Sequence, residues 1–326
     1  MQNKKLIVVN ILSLLLSYNT YVYAAQIPAE TSMQQMIKDI ENNYIPAADI
    51  PNVPDALPLT QLIKGILNNM VYVKGGNYAM GDAGFYKKNV KGEKKFYYWA
   101  FGLDNKPAHK VILTSYSINK YLTTFAEYDT YTKITHQTPT LAIFLLSNPI
   151  KTWRTGNYPA QGMSWYAAKA YCNWLGKITG LPFNLPTEAQ WEYAARSRGK
   201  TIQYATNNGL LIPNKNIAYK QHSYAVGAFP PNPLGLYDMS GSISEWVNDW
   251  YSKVYYQNSP ENNPLGPATG KDKVIRTDQI LVNSNVYARN KLNPKLKVIY
   301  VGFRCVLNSD KPVAELKTAA MENLKK

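Results

Sequence analysis

The sequence predicts an α+β domain made of short strands and short helices with much irregular chain between them. Three observations carry that expectation. The chain is rich in turn-forming residues, with 19 Gly and 20 Pro, and in tyrosine, a mixture that favours loop-heavy architecture over long helical bundles. Apolar periodicity comes only in short runs, of period two near Val71 and near Val111, and of helical spacing near Leu62 and near Ala168. There is no internal repeat and no low-complexity tract. At 326 residues and 45% hydrophobic content, the chain can bury a substantial core, as one large domain or two small ones.

The amino terminus reads as a secretory signal peptide over residues 1–24. Lys4 and Lys5 precede an apolar run from Leu6 to Leu16, and Val22-Tyr23-Ala24 places small residues at cleavage positions. The run is too short to span a bilayer comfortably, and a retained anchor is the other reading. The mature product is expected in the periplasm or outside the cell. Residues 25–69 then read as short helices and a Pro-rich linker. Thr31 and Ser32 can cap a helix carrying Met33, Met36, Ile37 and Ile40, while Pro46, Pro51, Pro54 and Pro58 forbid regular structure. Leu59 to Met70 is helical in pattern, with Leu62, Ile63, Ile66 and Leu67 on one face.

The main domain is expected over residues 70–308. Val71 to Val73 forms a strand stopped at Gly75-Gly76, and Val111, Leu113, Tyr116 and Ile118 mark a second strand region. Phe125 to Thr132 is a helix. Ser164 caps another from Trp165 to Leu175, closed by Gly176 or Gly180. At the next helix start Thr187 caps, Gln190 completes a capping box and Glu188 suits the positive dipole end. Glu188 and Glu192 are acid–base candidates, but caps and salt bridges explain them more simply. Tyr204 to Pro233 is irregular, the stretch from Asn263 to Cys305 holds the last core strands, and residues 309–326 form a polar amphipathic tail.

Chemistry concentrates in Leu236 to Glu245. Asp238 and Glu245 bracket Gly241, whose missing side chain permits a tight turn with inward carbonyls, as a hard cation such as calcium requires. A capped surface turn with solvated acids is the alternative. Asn216-Ile217 could lend a side-chain and a backbone oxygen to a second cation. Cys172 and Cys305 are the two cysteines, and in an exported chain such a pair is most simply a disulfide, with a reactive thiol pair as the rival. His109, His136 and His222 are widely separated and lack ligand spacing.

The formal charge of +15 suits an anionic lipid, a polysaccharide or an acidic protein, and also simply promotes solubility. Nucleic acid does not suit an exported chain. Lys87, Lys88, Lys91, Lys94 and Lys95 lie beside Phe96, Tyr97, Tyr98 and Trp99. This reads as a loop, either solvated or touching a partner.

Seven blocks, in order, resemble the sulfatase-modifying-factor family, whose best-known members are the formylglycine-generating enzymes. They are Gly75-Gly-Asn-Tyr-Ala-Met-Gly81, Tyr158-Pro-Ala-Gln-Gly-Met-Ser-Trp165, Ala170-Tyr-Cys-Asn-Trp174, Leu185-Pro-Thr-Glu-Ala-Gln-Trp-Glu-Tyr-Ala-Ala-Arg196, Gly235-Leu-Tyr-Asp-Met-Ser-Gly241, Glu245-Trp246 and Gly302-Phe-Arg304. The resemblance implies a C-type-lectin-like domain, low in regular secondary structure and stiffened by calcium. It places one calcium site on Asp238, Gly241, Ile243 and Glu245, the middle pair through backbone oxygens. Asn216 and Ile217 fall on half of a second site, whose expected carboxylate is not evident here. Cys172 and Cys305 fall on positions that form a disulfide in some members.

The family's oxidase chemistry is not implied. It uses a close cysteine pair, binding copper and following a Gly-Gly-Ser turn, upstream of the Gly-Phe-Arg block. Here Thr277, Asp278 and Gln279 stand at the turn, with Val282 and Tyr287 near the cysteine positions. An alkyl group and a phenol cannot replace two soft thiolates on copper(I), so copper is not expected. The histidine-held iron domain of the ergothioneine-forming branch is missing as well. The resemblance leaves an exported, calcium-stabilised binding or regulatory module, of the kind associated with type VI secretion. A periplasmic oxidoreductase of the siderophore-maturation branch is the alternative.

Overall fold

The computed structural model describes residues 56–100, 102–141, 154–217, 224–277 and 284–325. The expected signal peptide, the helix near Met33, Pro46, Pro51, Pro54, His222, Asp278, Gln279 and Val282 lie outside them. In chain order the elements are α1 (Leu59–Asn68), β1 (Met70–Val73), β2 (Gly76–Met80), β3 (Phe85–Lys88), β4 (Lys94–Tyr97), β5 (His109–Leu113), β6 (Tyr116–Asn119), α2 (Phe125–Ile134), α3 (Trp165–Thr179), β7 (Phe183–Asn184), α4 (Glu188–Ala195), β8 (Ser244–Trp250), β9 (Lys273–Arg276), β10 (Arg289–Leu292), β11 (Val301–Gly302), β12 (Val306–Leu307) and α5 (Val313–Asn323). Long irregular stretches separate them, as the composition foretold.

Two four-stranded sheets organise the domain, in the orders β1-β6-β12-β7 and β10-β9-β8-β11, and β2-β5 and β3-β4 form separate pairs. The first sheet is antiparallel throughout, with Val71 opposite Ile118 and Ile118 opposite Val306. In the second, β11 runs parallel to β8 and the other pairings are antiparallel. Between and around these strands lies a core that includes Val73, Val111, Tyr116, Ile118, Trp191, Val247, Val274 and Val306.

Local chemistry sets the helix boundaries. The Thr187 hydroxyl accepts from the Gln190 N–H (3.1 Å), and the Gln190 side chain accepts from the Thr187 N–H (2.9 Å), so both members of the predicted capping box are in place. Thr124 and Glu127 form a second box at α2. Ser164 caps α3, which ends at Gly180 rather than Gly176. Gly180 has φ of 69°, and a Cβ there would lie 2.4 Å from the Asn323 side chain, so the left-handed turn and the close approach both require glycine.

Two expectations change in form. The basic aromatic stretch is not a loop but the β3–β4 hairpin, because β-branched residues are not needed when aromatic side chains pair across strands. The carboxyl-terminal tail is the helix α5, which buries Val313 and Ala320 and donates from Asn323 Nδ2 to the Thr179 carbonyl (3.0 Å) at the end of α3. Lys317 also reaches Asn68 Oδ1 at the end of α1.

Cys172 of α3 and Cys305 beside β12 are joined as a disulfide, their Cα atoms 5.8 Å apart across a separation of 133 residues. Closing so long a loop removes about 4 to 5 kcal/mol of denatured-state entropy in the chain-entropy picture, an upper figure. Reduction is therefore expected to lower the unfolding temperature by well over 5 °C. A thermal melt with and without dithiothreitol checks it, and an unchanged midpoint would show that the bond constrains nothing.

Candidate metal site and the buried arginine network

All eight residues of α4 are buried, Glu188 and Glu192 among them. A carboxylate taken out of water needs a partner, and three arginines supply it. Glu188 Oε1 accepts from Arg276 Nη1 (2.7 Å) and from Arg289 Nε (2.6 Å), and its Oε2 accepts from Arg289 Nη2 (2.8 Å). Glu192 accepts from Arg276 Nη2 (3.0 Å), Arg196 Nη1 (2.8 Å) and the Gly81 N–H (2.8 Å). Burial opposes ionisation of Glu188, but Arg289 and Arg276 together hold its carboxyl below the ordinary range. The structural reading of these two glutamates thus stands: every carboxylate oxygen is occupied by a fixed donor, which leaves none to move a proton.

The arginines come from strands. Arg276 ends β9 and Arg289 opens β10, directly opposite each other in the ladder. Their guanidinium groups stack on Trp191 (5.1 Å) and Tyr256 (4.3 Å), respectively. The sequence reading left these arginines without a role, although an arginine ending a run such as Val274-Ile275 was the available signal: a charge at a core position must be paired. Tyr287, expected from the sequence resemblance to stand near a family cysteine position, is buried with Arg196 over its ring at 4.9 Å. Burial pushes its hydroxyl up to about 12.

Of the residues expected to bind calcium, Asp238, Gly241 and Asn216 line one cavity, whereas Ile217, Ile243 and Glu245 are not part of its lining. The loop carrying Asp238, Ser240 and Gly241 faces Asn216 and Tyr224 across a small cavity. A Cβ on Gly241 (φ 79°) would lie 2.0 Å from Ile217 Cγ1, so glycine is what lets this turn pack against Ile217. Ile243 is buried just beyond, at the start of β8.

The donors differ in how far they are committed. Both oxygens of Glu245 accept from Arg304, at 2.7 and 2.9 Å, and Arg304 also donates to the carbonyls of Asn119, Lys120 and Tyr237. The Asn216 amide oxygen accepts from the Ile212 N–H (2.8 Å), and its nitrogen donates to the Leu210 carbonyl (3.0 Å). Asp238, at φ 62°, accepts from the Gly227 N–H (2.8 Å) and makes no ion pair among the described residues. Burial first, and Glu245 in addition, raise its carboxyl to about 6. Asp238 is thus the one expected calcium ligand in this cavity whose carboxylate is not already committed to an arginine. No cluster of three His, Cys, Asp or Glu suited to a metal occurs among the described residues. His109 packs edge-on to Tyr256 at 4.7 Å, and burial lowers its pKa.

The family model of the sulfatase-modifying factor enzyme 1-like domain matches residues 60–309. The chain belongs to the sulfatase-modifying-factor family. A serine/threonine-protein kinase, pkn1, of Chlamydia pneumoniae is 30% identical over 261 residues, covering 74% of this chain and 38% of the kinase. The formylglycine-generating enzyme of Streptomyces coelicolor is 34% identical over 175 residues, covering 47% of this chain and 54% of that enzyme. This chain therefore spans about half or less of the length of these relatives. The solved structure of PvdO from Pseudomonas aeruginosa superimposes with a TM-score of 0.58 at 25% identity, covering 73% of this chain and 93% of PvdO. The fold expected from the sequence blocks is the one observed, mixed in helix and sheet with little regular structure.

The buried acids of this family member set a pH dependence. Asp249 accepts from the Glu188 N–H (2.8 Å), and burial, reinforced by Glu188, raises its carboxyl to about 7. Between the unfolded value and the folded one, the native state holds a proton that the unfolded chain has lost. Stability contributed by Asp249 and Asp238 therefore falls as pH rises from about 4 to about 7. Denaturant titrations across that range, in chelator, are expected to show the decline, flattened in Asp249→Asn. A rise instead would mean that these carboxylates are ionised and matched in the folded protein.

Proposed function

We propose that this chain is an exported binding or regulatory module of the sulfatase-modifying-factor family, stiffened by calcium, that does not form formylglycine. The observation that carries the reading is the state of its sulfur. Both cysteines of the sequence are joined to each other, and by the sequence resemblance Tyr287, which is buried, stands near a position where the family keeps a thiol. A thiolate pair for copper would have to come from these two atoms. Export is supported by the basic and apolar pattern at Lys4 to Leu16, and by a disulfide that persists in an oxidising compartment. Calcium is supported by the half-buried Asp238 carboxylate on a glycine-shaped loop, a carboxylate that makes no ion pair among the described residues although Arg304 lies close enough to act on it. The carbonyls of Gly241 and Ile243 would complete the site, and Glu245 would join it only by sharing Arg304. Bound there, the ion would contribute charge neutralisation and loop rigidity. Asn216 and Ile217 would belong to a second site only if Asn216 gave up its backbone partners.

Purified protein incubated with copper, oxygen and a cysteine-containing sulfatase peptide is expected to leave the cysteine unmodified by mass spectrometry. In parallel, calcium is expected to raise the unfolding temperature at pH 7.5 and to do so less at pH 5, with the gain lost in Asp238→Asn. Formylglycine in the product would overturn the reading of the thiols, and melting indifferent to calcium would overturn the reading of the loop.

A second reading, a periplasmic oxidoreductase of the siderophore-maturation branch, rests on the sequence resemblance, and the fold shared with PvdO is compatible with it. Unchanged siderophore products after deletion of the gene would remove it. Crosslinking in the intact envelope would identify a protein partner, a type VI secretion component among the candidates.

A further inference from the structure

The β3–β4 hairpin is a two-faced pair of strands, seven of whose eight residues are exposed. Its register sets Phe85 opposite Tyr97, Tyr86 opposite Phe96, Lys87 opposite Lys95 and Lys88 opposite Lys94. Because side chains alternate along a strand, Tyr86, Phe96, Lys88 and Lys94 share one face, and Phe85, Tyr97, Lys87 and Lys95 share the other. Phe85 stacks on the half-buried Trp99 at 3.9 Å, which ties the second face to the domain. The first face is outward. Tyr86, Phe96 and Tyr98 run along it edge to face at 5.1 and 5.0 Å, yet are 63%, 44% and 51% exposed. The turn is fixed by Asn89, whose side-chain oxygen accepts from the N–H groups of Lys91 (3.0 Å) and Glu93 (2.9 Å), and it carries a fully exposed Val90.

Two features of this hairpin make no sense for folding alone. Like charges directly opposite in a ladder destabilise it, and here two successive rungs are lysine against lysine. Three large aromatic rings also form a ladder that water wets. Both costs reverse at an interface that is anionic and half apolar. Tyrosine and tryptophan settle at the level of lipid headgroups, and lysines beside them meet the phosphates. From the lysine rungs and the exposed aromatic ladder we infer that this face lies flat on an anionic phospholipid surface, with Tyr86, Phe96 and Tyr98 at headgroup depth and Lys88 and Lys94 on phosphate. Paired lysine rungs beside wetted aromatic rings match phosphate at a lipid headgroup surface, and a peptide or polysaccharide partner is an outcome that the vesicle experiment below would reveal. The inference is independent of whether the domain is catalytic or holds calcium.

Sedimentation of the full chain with vesicles tests it, using phosphatidylcholine alone or with about 30% phosphatidylglycerol. Binding is expected only to the anionic vesicles and should weaken as salt rises. Lys88→Gln with Lys94→Gln should weaken it about thirtyfold, each lysine near a charged surface contributing about fivefold. Tyr86→Ser should weaken it without changing the salt dependence. Comparing variants within the full chain cancels any contribution of the apolar run at Leu6 to Leu16. The lysine variants should melt no lower than the parent, since they relieve like-charge rungs, so lost binding cannot be misread as unfolding. Equal binding by parent and variants, equal binding to neutral vesicles, no binding at all, or full competition by soluble polyphosphate with Tyr86→Ser unaffected would each overturn the inference.

Discussion

The domain is organised around the pairing of three arginines with two glutamates beneath α4. A short helix buried on every side, with two acids in its eight residues, could not be placed at the centre of a core unless each oxygen met a donor. Arg276 and Arg289 reach it from adjacent strands and Arg196 from the helix end, so one network fastens α4 to β9 and β10. Losing one partner of such a pair costs about 3 to 5 kcal/mol, because the other charge remains buried. That penalty makes the network a constraint on geometry: β9, β10 and α4 have little freedom to shift against one another.

A second clamp, Glu245 with Arg304, does the same for the loop before β8. Arg304 satisfies three carbonyls from two other segments as well as both carboxylate oxygens. The arrangement separates two acids that look equivalent in sequence. Glu245 has a fixed cation of its own, whereas Asp238, seven residues earlier, sits on a strained left-handed turn with a single backbone donor. Electrostatics thus divides the stretch into an acid fully neutralised by arginine and an acid held by a single backbone donor. The same division recurs at larger scale, where the stiff interior carries the paired charges and the exposed hairpin carries unmatched lysines.

The helix starts at Thr187 and Ser164 were legible because capping is local: the bonds join residues three apart and depend on nothing distant. The buried face of α1 was legible for the same reason, since Leu62, Ile63, Ile66 and Leu67 define it by spacing alone. The basic aromatic stretch was read as a loop because two short strands rich in lysine resemble solvated chain until their cross-strand register is known. The helical form of the tail was hidden likewise, since Val313 and Ala320 gain an apolar surface to bury against only when α5 docks beside α1 and α3.

The family blocks and their order, the caps at Ser164 and Thr187 and the cysteine pair as a disulfide candidate are matters of residue type and short spacing, and could be read along the chain. Which acids are already neutralised could be seen only once the strands were in place. Arg276, Arg289 and Arg304 lie 59 to 101 residues from the carboxylates of Glu188, Glu192 and Glu245 that they meet. An ion pair is fixed by distance in space and by exclusion of water, and neither is written in the spacing along the chain.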